Sequence, residues 1–383
     1  MVSGHLSEKK GHYYAVISYN DALGKRKTKW FATGLPVKGN KKKAEAFLNS
    51  KKMSFVPPER IQDDEEILFA DYMEKWLEIV KTSVTIVTYS SYSTMTKGVI
   101  IPYFRKKKIK LKELTARHIQ EFYLEELKRV KANSVIHYHA IIHKALKFAA
   151  KLDMIPVNPA DKVDRPRKEN FIGSFYDADE MKALLEASRG TNLEIPIMLA
   201  AFYGLRRSEV LGLKWDAVDF EKDTLMIKHT VTSCNVDGKH LLVRQDRTKT
   251  KSSMRTLPLV KSVKGRLLML MKEQKENRRL CGRSYIKEFD GYICVNEIGD
   301  IIKPQYLTSA FPKLLEQHGF RRIRFHDLRH SCASLLLSNG VPMKQIQEWL
   351  GHSDFSTTAN IYSHLDYSSK ISSANSISQS LGA

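Results

Sequence analysis

Apolar and polar positions change their period along the chain, and the changes mark out three stretches. The first is strand-like: His12-Tyr13-Tyr14-Ala15-Val16-Ile17-Ser18-Tyr19 is rich in aromatic and β-branched residues, and Asn20-Asp21-Ala22-Leu23-Gly24 reads as a turn. A second run over 25–33 alternates basic with apolar or polar residues before Gly34, and a short helix follows over 41–52 with Ala44, Phe47 and Leu48 on its apolar face. Residues 53–66 form a linker, with Val56-Pro57-Pro58 and the acidic run Asp63-Asp64-Glu65-Glu66. Helical periodicity then takes over. Phe69, Tyr72, Met73, Trp76 and Leu77 recur at three and four, and 88–104 is predicted helical, ending in Arg105-Lys106-Lys107-Lys108. Thr115 is a candidate N-cap for a helix carrying Ile119, Phe122, Tyr123 and Leu127. The last helix of this stretch starts after Asn133 and carries Ile136, Ala140, Ile141, Ala145, Phe148 and Leu152. Ile155-Pro156-Val157-Asn158-Pro159 ends it, and 162–168 is a basic, proline-containing connector.

The third stretch is mixed. Asp177 caps a helix over 178–188, an apolar helix spans 193–203, Gly204 ends that helix, and Arg206-Arg207 opens the next. Strands are expected over 224–232, 241–246 and 254–259, the last two joined as a hairpin by the cation-loaded loop Arg247-Thr248-Lys249-Thr250-Lys251-Ser252-Ser253. A basic amphipathic helix over 261–279 turns Val263, Leu267, Leu270 and Met271 inward. The expected architecture is multidomain α+β: a small β-sheet with a helix over 1–56, an all-α domain over 65–165, and a mainly α domain with a small antiparallel sheet over 170–383.

Charge adds a partner to this picture. The 383 residues carry a formal +21 with a pI near 9.6, which points to a polyanion: nucleic acid by default, a membrane surface as the rival. No apolar run approaches the roughly 18 residues of a membrane span, and residues 1–10 are too polar for a signal peptide, so a cytoplasmic protein is expected. Residues 1–55 hold twelve Lys/Arg against three Asp/Glu, and this excess sits on a compact fold rather than a tail. A two- or three-stranded face of that kind can enter a major groove. Lys25, Arg26, Lys27 and Lys29 are therefore candidate DNA contacts, together with Arg105, Lys106, Lys107, Arg167 and Lys251. Cys234, Cys281, Cys294 and Cys332 lie far apart, which suits reduced thiols rather than a disulfide frame or zinc site, and Cys332 is expected to pack. His139 and His143 lie one turn apart and could in principle bind a metal, but no carboxylate or third histidine is expected to accompany them, so a surface or core histidine pair is expected instead.

Chemistry concentrates towards the end of the chain. In Phe325-His326-Asp327-Leu328-Arg329-His330, a histidine and an arginine three apart share a helix face and can reach one phosphate. Leu350-Gly351-His352 and Tyr362 follow, Gly351 reading as a helix C-cap. Upstream, Arg206 at a helix start is costly in an apolar setting unless paired, and Glu209 can buttress it. A lysine on a loop can donate a proton to a leaving oxygen. A phenol has a pKa near 10, so its attack on a phosphodiester needs nearby positive charge or a base. Arginines supply it, donating to the non-bridging oxygens where charge builds.

Gly204-Leu205-Arg206-Arg207-Ser208-Glu209, the loop lysine, His326-Asp327-Leu328-Arg329-His330, Leu350-Gly351-His352 and Tyr362 stand in the order seen in tyrosine recombinases. The chain resembles an integrase of that family, of the kind carried by conjugative transposons and temperate phages, over about residues 175–370. The resemblance implies the tyrosine recombinase catalytic fold, with Arg206 and Arg329 clamping the scissile phosphate, His326 and His352 as the histidines of the H-x-x-R and L-G-H motifs, and Tyr362 as nucleophile. Tyr367 is a rival nucleophile at a poorer distance from His352. Lys249 would be the general acid, with Lys251 two residues away as the alternative. The first two domains would be the arm-binding and core-binding domains, contacting arm-type and core attachment sites on double-stranded DNA. The implied assembly is a homotetramer exchanging a carboxy-terminal segment, for which 368–383 is the candidate; an excisionase and a DNA-bending protein are candidate partners. No cofactor or metal is implied, and neither a phosphate-binding glycine loop nor a clustered carboxylate site is found. Rival readings are a type IB topoisomerase, a telomere resolvase and a non-catalytic DNA-binding regulator.

Overall fold

The computed structural model describes residues 3–20, 26–54, 67–169, 174–246, 254–351 and 378. The chain divides into two compact units, one formed by Met1–Ser83 with Tyr92–Lys168, the other by Val84–Ser91 with Glu169–Ala383.

The first unit begins with an antiparallel sheet of β1 (Ser3–Lys9), β2 (His12–Asn20) and β3 (Arg26–Pro36), in that order, with α1 (Lys41–Ser54) against it. β1 is an addition to the predicted pair. Its Ser3-Gly4-His5-Leu6-Ser7-Glu8-Lys9 carries almost no apolar alternation, and pairing with β2 from Ser3↔Ser18 to Lys9↔His12 makes it a strand. Ala15, Val16 and Ile17 of β2 are buried with Ala44 and Leu48 of α1. The other edge, β3, leaves Arg26, Lys27, Lys29 and Trp30 exposed.

The helices are α2 (Phe69–Lys81), α3 (Ile86–Met95), α4 (Ile101–Lys107), α5 (Ala116–Leu127) and α6 (Ala132–Lys151). The helix predicted over 88–104 is broken by a π-helical turn, Thr96–Ile100, just ahead of Pro102. A proline lacks its N–H and presses its ring on the preceding turn, and a widened turn absorbs both effects. Phe104 packs edge-on to Phe69 (4.8 Å, 90°) and 5.3 Å from Phe122, all three fully buried, each contributing about 1.5–3 kcal/mol. Thr115 caps α5 as expected, its hydroxyl accepting from His118 N while His118 Nδ1 accepts from Thr115 N.

Two predicted faces need correction. Leu127 is exposed, and Glu126 takes the buried place beside it. On α6 the buried stripe is Val135, Tyr138, Ile141, Ile142, Ala145, Leu146 and Ala149, while Ala140 and Leu152 are exposed; that helix is apolar over much of its circumference, so periodicity leaves the phase open. A carboxylate does accompany the histidine pair. His143 Nε2 lies 2.7 Å from Asp161 Oδ1, His139 Nδ1 lies 2.8 Å from the Tyr123 hydroxyl, and the two rings stack at 5.6 Å.

In the second unit, Asp177 caps α7 (Ala178–Ala187) in a capping box with Glu180. Then come the nearly all-buried α8 (Glu194–Tyr203) and the short α9 (Arg207–Gly212). The strands are β4 (Val218–Asp219), β5 (Thr224–Ile227), β6 (Thr230–Val236), β7 (Lys239–Gln245) and β8 (Arg255–Pro258), followed by α10 (Lys261–Cys281), α11 (Pro304–Gln317), α12 (Asp327–Ser338) and α13 (Met343–Leu350). The predicted strand 224–232 is two strands in different sheets, split at Lys228-His229. The hairpin expected between 241–246 and 254–259 is not formed: β7 pairs with β6 around Asp237-Gly238, and β8 pairs with β5 in the order β4-β5-β8. The stretch 233–240 is therefore the end of one hairpin arm, its turn and the start of the other, and 247–253 connects two sheets. That segment, with Lys249 and Lys251, lies outside the described residues, as do Lys25, His352, Tyr362, Tyr367, 368–383 apart from residue 378, and 55–66 of the predicted linker, whose first two residues belong to α1.

Candidate active site

The site grows from the break between α8 and α9. Gly204 caps α8 in the left-handed region (φ +59°), and a Cβ there would run into Leu350 of α13, with Cys332 Sγ and Arg329 Cγ next nearest. Glycine is required on both counts. The chain turns extended at Arg206, whose backbone N–H donates to Glu209 Oε2 (3.0 Å) and whose Nη1 donates to Glu209 Oε1 (2.7 Å). Glu209 is 2% exposed. Burial would raise its carboxyl, but Arg255 and Arg206 hold it below the ordinary carboxylate value.

His326 stands one residue ahead of α12, at the N-cap, after the buried Phe325. Its ring meets His330 edge-on (5.4 Å, 90°). Burial, with His330 and Arg329 beside it, pulls the His326 imidazole down to about 4, although the residue opens on a cleft. His330 is lowered as well, chiefly by burial. Asp327 is buried, and Arg324 donates to it from its backbone (2.8 Å) and from Nη2 (2.7 Å). Burial would raise that carboxyl, and those donors hold it low.

Arg329 is 2% exposed, and burial followed by Arg206 brings its guanidinium down to about 9, still charged at neutral pH. Its Nη1 donates to Gly204 O (2.6 Å) and its Nη2 to Leu350 O (2.8 Å). Two further arginines hold the neighbouring carbonyls of the same helix end: Arg206 Nη2 donates to Gly351 O (3.0 Å), and Arg255 Nε donates to Trp349 O (2.7 Å). Carbonyls at a helix C-terminus have no intrahelical donor and carry partial negative charge, so cations there are favoured. Arg255 Nη2 also reaches Glu209 Oε2 at 3.1 Å.

Arg206, Arg207, Arg322, Arg324 and His326 line one cleft of about 760 Å³ together with polar groups that include Thr232 and Thr308. Arg207 Nη1 donates to Thr308 Oγ1 at 2.5 Å, which gives a use to a residue the motif left without one. Sequence-predicted Arg206 and Arg329 thus meet at the end of α13, one residue before His352, and His326 lines the cleft with Arg206, although Arg329 is not among the residues lining it. Arg255 and Arg322 were missed. Arg255 shares strand parity with the buried Leu257, a signal that was available in the pattern. Among the candidate DNA contacts of the first unit, Arg26, Lys27, Lys29, Lys106, Lys107 and Arg167 are exposed, and Arg105 pairs with Asp71 (2.9 Å) and Glu74 (3.1 Å). Cys332 is buried, as expected, with its thiol pushed up to about 12 by burial.

Residues 174–369 match the phage integrase family, and residues 68–128 match the phage integrase N-terminal SAM-like domain. The chain belongs to the phage integrase family. It is a tyrosine recombinase, an enzyme class that cleaves and rejoins DNA by transesterification at specific sites. The chain is 29% identical over 326 residues to a XerC-like tyrosine recombinase of Caldanaerobacter subterraneus subsp. tengcongensis, covering 79% of this chain and 81% of the relative. The fold is similar to that of the Tn1549 transposon integrase solved with a circular intermediate DNA (TM-score 0.66, 17% identity, 81% of this chain and 99% of that one). It is also similar to that of lambda integrase solved as a tetramer on a Holliday junction (TM-score 0.57, 17% identity, 93% and 94%). The first match runs through both His352 and Tyr362. Among the described residues of this integrase-family chain, no helix is long and apolar enough to cross a membrane, and no cluster of three or more His, Cys, Asp or Glu is set to hold a metal.

Proposed function

We propose that this recombinase integrates and excises a mobile genetic element, with Tyr362 as nucleophile. The Tyr362 oxygen attacks the scissile phosphorus, forming a 3′-phosphotyrosine and releasing a 5′ oxygen that takes a proton from Lys249, or from Lys251 in its place. A 5′ hydroxyl from the exchanging strand then attacks the phosphotyrosine and frees the phenol, so the bond is carried over without ATP. Arg206 and Arg329 neutralise the non-bridging oxygens, and His326 and His352 complete the donor set. The observation that carries this reading is that Arg206 and Arg329 both bond the helix end that leads directly into His352, while His326 lines the same cleft as Arg206. A neutral His326 at pH 7 can donate or accept, and an approaching phosphate favours its protonated form.

The substrate is duplex DNA with core and arm-type attachment sites, the latter read by the exposed β3 edge with Arg26, Lys27 and Lys29. The net +21 supports this, as do the DNA complexes in which the Tn1549 and lambda integrases were solved. The working assembly is a homotetramer on two duplexes, by likeness to the lambda tetramer, acting in the cytoplasm with an excisionase and a DNA-bending protein as partners. Nicked suicide duplexes tiled across the DNA flanking the gene test the reading. Wild-type protein becomes covalently attached to one of them, and Tyr362→Phe abolishes attachment while retaining binding. Attachment that survives the substitution refutes the nucleophile; no attachment to any duplex refutes the integrase reading.

A further inference from the structure

Three successive carbonyls end α13, and three arginines from three different elements take one each: Arg255 on Trp349 O, Arg329 on Leu350 O and Arg206 on Gly351 O. Two of these arginines are motif residues. The third, Arg255, opens β8, two residues after the segment 247–253 that carries the two candidate acid lysines. Its side chain is 7% exposed and bridges two partners distant in sequence, the Trp349 carbonyl and the Glu209 carboxylate. Glu209 in turn fixes Arg206 through both that residue's backbone N–H and its Nη1. One planar guanidinium therefore ties together the buttress of Arg206, the C-cap of α13 and the strand that begins two residues after the lysine segment.

We propose that Arg255 is a positioning residue for strand cleavage: it holds Glu209, and through it Arg206, in fixed relation to the end of α13 from which His352 departs. It does not touch the phosphate. The reason for an arginine is geometric. Nε and Nη2 diverge in one plane and serve a carbonyl and a carboxylate together, whereas an ammonium is a point donor without that fixed fork. A lysine at this place keeps the charge next to Glu209 and gives up one of the two links. The cost falls on the reaction more than on binding, because a small misplacement of a transition-state donor lowers rate steeply while the positive cleft remains.

The inference rests on the catalytic reading above, so the test starts from a nicked duplex that traps wild-type protein. On that duplex, Arg255→Lys and Arg255→Met are compared with wild type for binding and for the single-turnover rate of covalent attachment. Binding is expected to stay within about threefold while attachment slows at least about tenfold in both variants. The losses from Arg255→Met and Glu209→Gln are expected to overlap in the double variant rather than multiply, since both act through the same pair. Arg255→Lys keeps the charge and provides the reading if Arg255→Met does not fold. Attachment at the wild-type rate in a folded variant overturns the proposal, as does a lowered melting temperature with an unchanged rate below it. Multiplying losses in the double variant overturn the route through Glu209. Failure of wild-type protein to attach is a different result, and it removes the catalytic reading itself.

Discussion

Gly204→Ala probes the joint on which the whole cation cluster is hung. The substitution adds one methyl at a residue whose φ is +59° and whose Cβ would run into Leu350, itself fully buried. Left-handed backbone costs an L-residue about 1–2 kcal/mol. Forcing a carbon into a packed core adds about 1–3 kcal/mol. The stiffer unfolded chain returns about 0.4–1 kcal/mol. The net is a destabilisation of about 1–4.5 kcal/mol, centred on about 3. Gly340 supplies the control: its φ is +75°, but nothing lies within 4 Å of an added Cβ, so Gly340→Ala should lose only about 1 kcal/mol. Urea unfolding followed by tryptophan fluorescence reads the difference, because Trp215 and Trp349 both pack against the core of the second unit. Trimming the obstructing side chain is the stricter test. Leu350→Ala alone should cost about 2–5 kcal/mol, and clearly less in the Gly204→Ala background, where it makes room for the methyl. Equal losses from the two glycine substitutions, or strict additivity with Leu350→Ala, would refute the close approach as the reason for glycine.

Glu209→Gln should destabilise by about 3–5 kcal/mol, since it removes the charge facing two arginines in a buried pair. The matching change at the exposed Glu186, paired with Arg189 on the surface, should stay within about 0.5 kcal/mol; equal shifts in thermal melting would contradict the burial argument. Folded His326 has its pKa pulled down to about 4 and His330 is lowered too, so on acidification the unfolded chain takes up protons there before the folded chain does. Stability should therefore fall as pH drops from about 6.5 towards about 4, and replacing both histidines with glutamine should flatten that slope in urea midpoints, an unchanged slope being the contrary outcome.

Much of the fold can be read from local signals because local chemistry creates them. The Thr115 and Asp177 caps satisfy helix N–H groups within three residues, and the structure has both. Gly204 and Gly351 end helices in the left-handed region for the same local reason. Errors arise where partners are remote. β1 lacks a pattern of its own and exists through β2. Adjacent strands suggested a hairpin from β7 to β8, yet the partner of β8 is β5, separated from it by the whole β6–β7 hairpin. Antiparallel neighbours in sequence are the commoner arrangement, and nothing in 247–253 contradicts it locally.

The same division runs through the site. His326 and Arg329 stand at a helix N-cap and one turn into the same helix, so spacing assigns those two a shared task, and the share of Arg206, at another helix start, is what the family resemblance implies. Arg255 has no such local mark, because its partners lie 46 and 94 residues away. Its mark is parity. In β8, Arg255 and Leu257 point the same way, and Leu257 is buried. An inward arginine in a short strand must find a buried acceptor or pay several kcal/mol in desolvation. The sequence already contains a glutamate forced inward on a helix start by its task at Arg206. A strand cation and a helix-start anion that both face one core predict each other, and the 3.1 Å contact between Arg255 and Glu209 is that prediction in physical form. The arginine next to the lysine segment is thereby tied to the arginine that leads the motif, so a change in either should be felt at the other, a coupling that motif spacing by itself does not contain.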